Sequence, residues 1–142
     1  MLASIQGSFS SVESFDGTSL EYRPGRDAGL NSLHDMDHLH GYWVKMEETD
    51  MLSIVGVPAP EETGIPLEKD WNLVSYLPDA PLPIEIALSS IDGLYTAVLG
   101  YDGRGLSYYP SIPTDLNTLH SLSPGRGYWV RMAADATLVY PD

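Results

Sequence analysis

Gly125-Arg126-Gly127-Tyr128-Trp129-Val130-Arg131-Met132 repeats a phrase already written as Gly41-Tyr42-Trp43-Val44-Lys45-Met46. Sliding the chain against itself at that offset aligns much more, with no gap. Ile5 falls on Ile91, Gly7 on Gly93, Val12 on Val98, and Asp16-Gly17 on Asp102-Gly103. Leu20 falls on Leu106, Tyr22 on Tyr108, Pro24 on Pro110, and Leu30-Asn31-Ser32-Leu33-His34 on Leu116-Asn117-Thr118-Leu119-His120. The period is about 86 residues, with roughly 20 identities over about 55 positions, more than chance supplies. The sequence therefore reads as an internal duplication.

Periodicity gives the elements of each copy. Phe9, Val12 and Phe15, then Asp16-Gly17, then Leu20 and Tyr22 predict a hairpin closed by a type I′ turn. Leu30, Leu33 and Met36, at spacing three, predict a turn or two of helix or 3₁₀ structure, repeated at Leu116, Leu119 and Leu122. In the strand over 41–46, Tyr42, Val44 and Met46 share one face and Trp43 and Lys45 the other. Strands over 51–55 and 137–140 close the copies. Residues 71–77 alternate as a strand, and Pro83 opens an amphipathic helix with Ile84, Ala87, Leu88 and Ile91 on one face.

A full unit is thus strand–helix–hairpin–short helix–strand–strand, a β-rich α+β fold. Residues 1–56 form a partial first repeat, 57–70 a connector with three prolines and a cluster of acids, and 71–142 the complete second repeat. The alternative is a permuted full unit over 1–90 and a partial unit over 91–142, packed as one domain. On the first reading the N-terminal copy is incomplete, and on either reading one copy has an unfilled strand slot. Such an edge invites a strand-swapped or edge-paired oligomer.

Composition excludes several classes. With 43% hydrophobic residues, the 142-residue chain can bury a core. The formal net charge is −13, and Lys45 and Lys69 are its only lysines, which argues against a nucleic-acid partner. The absence of cysteine excludes a disulfide scaffold, cysteine zinc sites and thiol nucleophiles. No apolar run approaches the roughly 18 residues of a membrane span.

Two stretches carry a resemblance, Trp71-Asn72-Leu73-Val74-Ser75-Tyr76 and Leu122-Ser123-Pro124-Gly125-Arg126-Gly127-Tyr128-Trp129-Val130-Arg131-Met132. Together they resemble a GWNLVS…LxPGRGYWVxM repeat module of large secreted and surface-exposed multidomain proteins of bacteria and archaea. The likeness covers 71–142 well and 2–56 as a partial copy. Asp70 departs from it, standing where a glycine usually precedes the Trp. So does Asp37-His38-Leu39-His40, in place of Ser123-Pro124-Gly125-Arg126. The resemblance implies an extracellular or cell-envelope setting, with other modules of a parent protein, or a protein or glycan, as partners. It implies no activity and no functional residues.

The sequence with most ligand character is His34-Asp35-Met36-Asp37-His38-Leu39-His40. If its turn continues helically, His34 and His38 share a face, and Asp37 or His40 completes an N/O set for a divalent metal such as zinc or nickel. His34 recurs as His120 without such neighbours, which favours a structural role for it. Glu61, Glu62, Glu68 and Asp70 lack EF-hand spacing and suggest at most a looser calcium site. No nucleophile elbow, phosphate loop or dinucleotide fingerprint occurs, so no catalytic residue or cofactor is expected. Aromatics present in both copies, Trp43 and Trp129 among them, read as core. Trp71, Tyr76 and Tyr109 lack aromatic counterparts and are the candidates for stacking on sugars. The expectation is a non-enzymatic repeat module, a structural spacer or protein-interaction unit. The alternative is a carbohydrate-binding module using exposed Trp and Tyr.

Overall fold

The structure, a computed structural model, describes residues 1–60 and 62–142. Alternating apolar and polar residues become antiparallel sheet wherever a second such stretch lies in reach. The strands are β1 (Phe9–Phe15), β2 (Ser19–Tyr22), β3 (Trp43–Met46), β4 (Ile65–Leu67), β5 (Asp70–Ser75), β6 (Leu82–Pro83), β7 (Tyr95–Tyr101), β8 (Gly105–Tyr108), β9 (Ser121–Leu122), β10 (Gly127–Met132) and β11 (Ala136–Leu138). They form a three-stranded sheet ordered β2-β1-β3, a four-stranded sheet ordered β5-β10-β7-β8, and the ladders β11-β4 and β6-β9. Every pairing is antiparallel. The α-helix α1 (Ile84–Ala87) and a few 3₁₀ turns are the only helices among the described residues, so the chain is β-rich. No helix among those residues is long and apolar enough to cross a membrane.

The registers of the two sheets run in parallel. Val12 faces Tyr22 on one side and Val44 on the other. Val98 faces Tyr108 and Val130 in the same way. The cores beneath them differ in size. Eighteen buried residues fill the C-terminal core, and eight of them (Ile65, Leu67, Val74, Tyr76, Ile84, Ala87, Leu88 and Ile91) come from the stretch between the two hairpins. The N-terminal core has four, Ile5, Phe9, Val12 and Leu33, ringed by half-buried Leu20, Tyr22, Met36, Tyr42 and Val44. Each fully buried aliphatic side chain contributes about 1.5–3 kcal/mol, so the C-terminal half holds most of the stability.

Several local expectations are corrected. The Asp-Gly hairpins form, but their loops have three residues, with Asp16 N–H bonded to Thr18 O and Asp102 N–H to Arg104 O. Only the glycines, Gly17 and Gly103, have positive φ, which excludes type I′. Asp16 instead accepts the Thr18 amide on its carboxylate, an Asx turn. The spacing-three turn sits earlier, at Ala28–Leu30, and leaves Leu30 exposed. It ends because Ser32 and Leu33 give their amides to Glu21 O, and Asn31 bonds the backbone of Arg23.

Residues 51–55 form no strand. Their counterpart β11 pairs with β4, and the N-terminal half has no such partner. The supposed connector contains β4, where Pro66 is tolerated because the ladder is two-stranded and has outer edges. The helix expected over 84–91 stops at Ala87. Leu88 turns out of helical geometry (φ −101°, ψ 16°), and a 3₁₀ turn follows at Ser89–Ile91.

Asp70 is the only non-glycine among the described residues with positive φ, at 75°. This explains why a glycine suits the position before Trp71. Asp70→Gly is expected to raise unfolding stability by about 0.5–1 kcal/mol and Asp70→Ala to lower it, as denaturant titration would measure. A Cβ on Gly41 would lie 2.9 Å from the Val74 carbonyl oxygen and 3.0 Å from Leu73 Cδ1. Gly41→Ala should therefore cost about 1–3 kcal/mol by the same measurement. Gly29→Ala, with nothing within 4 Å of the new Cβ, should cost far less.

Candidate functional site

Residues 34–38 are not helical, so His34 and His38 do not share a helical face. Asp37 and His40 are brought together: Nδ1 of His40 lies 2.9 and 2.8 Å from the two carboxylate oxygens. Asp37 Oδ1 also accepts the amides of Leu39 (2.8 Å) and His40 (3.0 Å), which closes the loop over 37–40. Burial pushes the Asp37 carboxyl up, but the bonds from the His40 ring and the two amides outweigh it and hold it below the ordinary range. The Ser75 hydroxyl donates to the His38 carbonyl, and His34 is one of the residues lining a cavity. Among the described residues no three His, Cys, Asp or Glu side chains are grouped to hold a metal ion. Of the connector acids, Glu61 lies outside the described residues.

The aromatic candidates separate. Tyr76 is core: its ring packs edge-on against Tyr128 and Tyr140, and its hydroxyl donates to Ala80 O. That corrects its reading as an exposed sugar contact, since Tyr76 is only 6% exposed. Tyr109 is exposed and joins no aromatic pair among the described residues. Trp71 is half-buried, edge-on to Trp129 at 6.3 Å, with the Arg131 guanidinium 6.0 Å from its ring centre.

Trp129 and Trp43 are not core residues of their sheets. They lie on the face opposite Tyr128 and Tyr42, where the two halves meet. Phe15 contacts Trp129 at 5.3 Å, and Trp43 contacts Tyr101 at 5.3 Å. Phe15 aligns with Tyr101 and Trp43 with Trp129, so each contact is the other with its partners exchanged. Between them Gly41 and Gly127, also aligned, approach until a Cβ on Gly127 would stand 3.0 Å from Gly41 Cα. The signal for this contact was present in the strand alternation, which already set Trp43 apart from Tyr42, Val44 and Met46.

The larger cavity, about 640 Å³, opens on the N-terminal sheet and is lined by Leu2, Phe9, Val12, Tyr22, Leu33 and Met36 among others. The smaller, about 450 Å³, lies where Phe15 and Gly17 approach Trp71 and Leu73. Burial raises Tyr140, and burial together with neighbouring Tyr108 raises Tyr95, so both stay protonated well above neutral pH.

Because Asp37 is held below its unfolded value, its contribution is full above about pH 4 and is lost as pH falls through the folded value. Asp37→Asn should lower unfolding stability at pH 7 by about 0.5–1 kcal/mol, at the low end for a cap because the carboxylate is half exposed. The difference from the parent chain should shrink towards pH 3, as melting curves across pH would show. Comparison with protein-family models, curated proteins and solved structures finds no match to this chain.

Proposed function

We propose that this chain is a non-enzymatic module built from a duplicated unit, part of a larger secreted or cell-surface protein, and that it serves as a spacer and protein-interaction unit. The reading is carried by the recurrence of local bonding at the duplication offset of about 86 positions. Asn31 Oδ1 accepts the Arg23 amide as Asn117 Oδ1 accepts that of Tyr109. Tyr42 Oη accepts the Asp37 amide as Tyr128 Oη accepts that of Ser123. Ser4 Oγ accepts the Ser53 amide as Ser90 Oγ accepts that of Val139. What recurs is framework, since these partners hold loops to strands.

The exchanged Phe15–Trp129 and Trp43–Tyr101 contacts support two units packed about a local twofold, as in an isologous dimer fused into one chain. A second reading, a carbohydrate-binding surface, is favoured by one observation: Trp43 and Tyr101 form a pair in which both rings remain about half exposed. A thermal-shift screen against divalent metals, EDTA and soluble polysaccharides separates the two readings. The module reading expects a flat screen. A polysaccharide that stabilises by about 2.7 kcal/mol at a hundredfold excess over Kd, and loses its effect in Trp43→Ala, would replace it with the second reading.

A further inference from the structure

We propose that the open groove of the N-terminal half is a receptor for a peptide segment of the pattern carried by residues 65–88. That segment is three short strands followed by one helical turn, supplied by another unit of the same kind. This deepens the interaction-unit reading above and rests on it.

The C-terminal half shows what fills such a groove. There β5 pairs with β10 along its whole length, β4 pairs with β11, β6 pairs with β9, and the Ile84 amide bonds His120 O. Residues 65–88 thus supply three strands and the helical turn that cover the sheet. In the N-terminal half the equivalents of β10, β11 and β9 are present as β3, residues 50–52 and residues 35–36, without those partners. Among the described residues β3 is paired only with β1; the opposite edge is bridged to β5 just ahead of it, at His40 and Val74, and has no strand partner over Trp43–Met46.

Side-chain exposure marks the same footprint. Met46 is 37% exposed where its counterpart Met132 is 2%, Leu52 43% where Leu138 is 0%, and Ile54 54% where Tyr140 is 4%. Each buried counterpart is covered by the segment in question. Met132 lies opposite Asp70, Leu138 opposite Ile65, and Tyr140 against Tyr76. Leu122, buried opposite Leu82, corresponds to Met36 in the wall of the 640 Å³ cavity.

The free edge also continues an existing strand contact. The Gly41 amide donates to Leu73 O, and the Ser75 amide donates to Leu39 O, immediately before β3 begins. A docked segment would extend that pairing, with backbone bonds giving affinity and alternate side chains giving selectivity, the mode of strand addition.

The test titrates a synthetic peptide of residues 63–88 into the isotope-labelled chain and follows amide shifts. Saturable one-to-one binding is expected, with shifts confined to β3 and to residues 33–36 and 52–54. Met46→Asp and Leu52→Asp should each weaken it at least tenfold while leaving the free chain's melting temperature unchanged, because both side chains are already exposed. A second form, with residues 63–87 fused directly ahead of Leu2, should melt higher than the parent chain. No shifts at saturating peptide together with no gain from the fusion would overturn the proposal. So would shifts in β5 and β10 that report displacement of the chain's own segment. If peptide and ligand screen are both flat, the inference falls and the module reading stands. A polysaccharide shift removes the module reading whatever the peptide does.

Discussion

The backbone of β5 is bonded on both edges, and both halves of the molecule depend on it. On one edge it runs the full length of β10, from Asp70 opposite Met132 to Ser75 opposite Gly127. On the other, Leu73 O and the Ser75 amide take up Gly41 and Leu39 from the N-terminal half. These bonds satisfy the Leu73 carbonyl and the Ser75 amide where the halves meet, where burial without partners would be costly. The geometry demands glycine twice over. Gly41 passes against the Val74 carbonyl, and Gly127 passes against Gly41. The phrase shared by the two copies therefore begins with glycine for a reason of contact as well as of strand pairing.

Much of this was legible in the sequence where a residue's neighbours are local. The hairpins, the β10 strand and the alternation of Tyr128, Val130 and Met132 follow from a period of two within a few residues. What stayed hidden was decided by distant partners. Ile65-Pro66-Leu67 is short and interrupted by proline, and becomes β4 only because β11 lies beside it. Residues 51–55 carry as strong an apolar pattern as β11 but have no strand partner among the described residues, so they form no strand and stay exposed. Tyr76, judged by its lack of an aromatic counterpart, looked like a surface residue. It is core because the segment carrying it is the one the N-terminal half lacks. Trp43 and Trp129 were misplaced for the converse reason: recurrence marks a structural role, and the structure they serve is the contact between halves.

The two halves therefore share a framework while differing in completeness. Both keep the buried asparagine that ties the end of the hairpin to the following loop, Asn31 and Asn117, and both centre on a fully buried valine, Val12 and Val98. Four buried core residues against eighteen make the N-terminal half the part that opens at lower free energy. Its contact with the C-terminal half through Trp43 and Phe15 offsets part of that deficit, since a unit tethered to its partner meets it at high effective concentration.

The two kinds of surface have different consequences for assembly. A contact in which Phe15 meets Trp129 while Trp43 meets Tyr101 is self-complementary, and within one chain it is already satisfied. Such a contact closes, and it offers nothing to a further unit. A groove filled by a segment of a different part of the unit is heterologous, and heterologous contacts propagate when the rotation between units does not close. The net charge of −13 opposes indiscriminate association between chains, so any growth has to come from a short-range, shape-specific apolar contact instead of a diffuse one. On the proposed reading, a chain with this exchanged aromatic contact inside and a groove beside its N-terminal sheet would add units in a single direction.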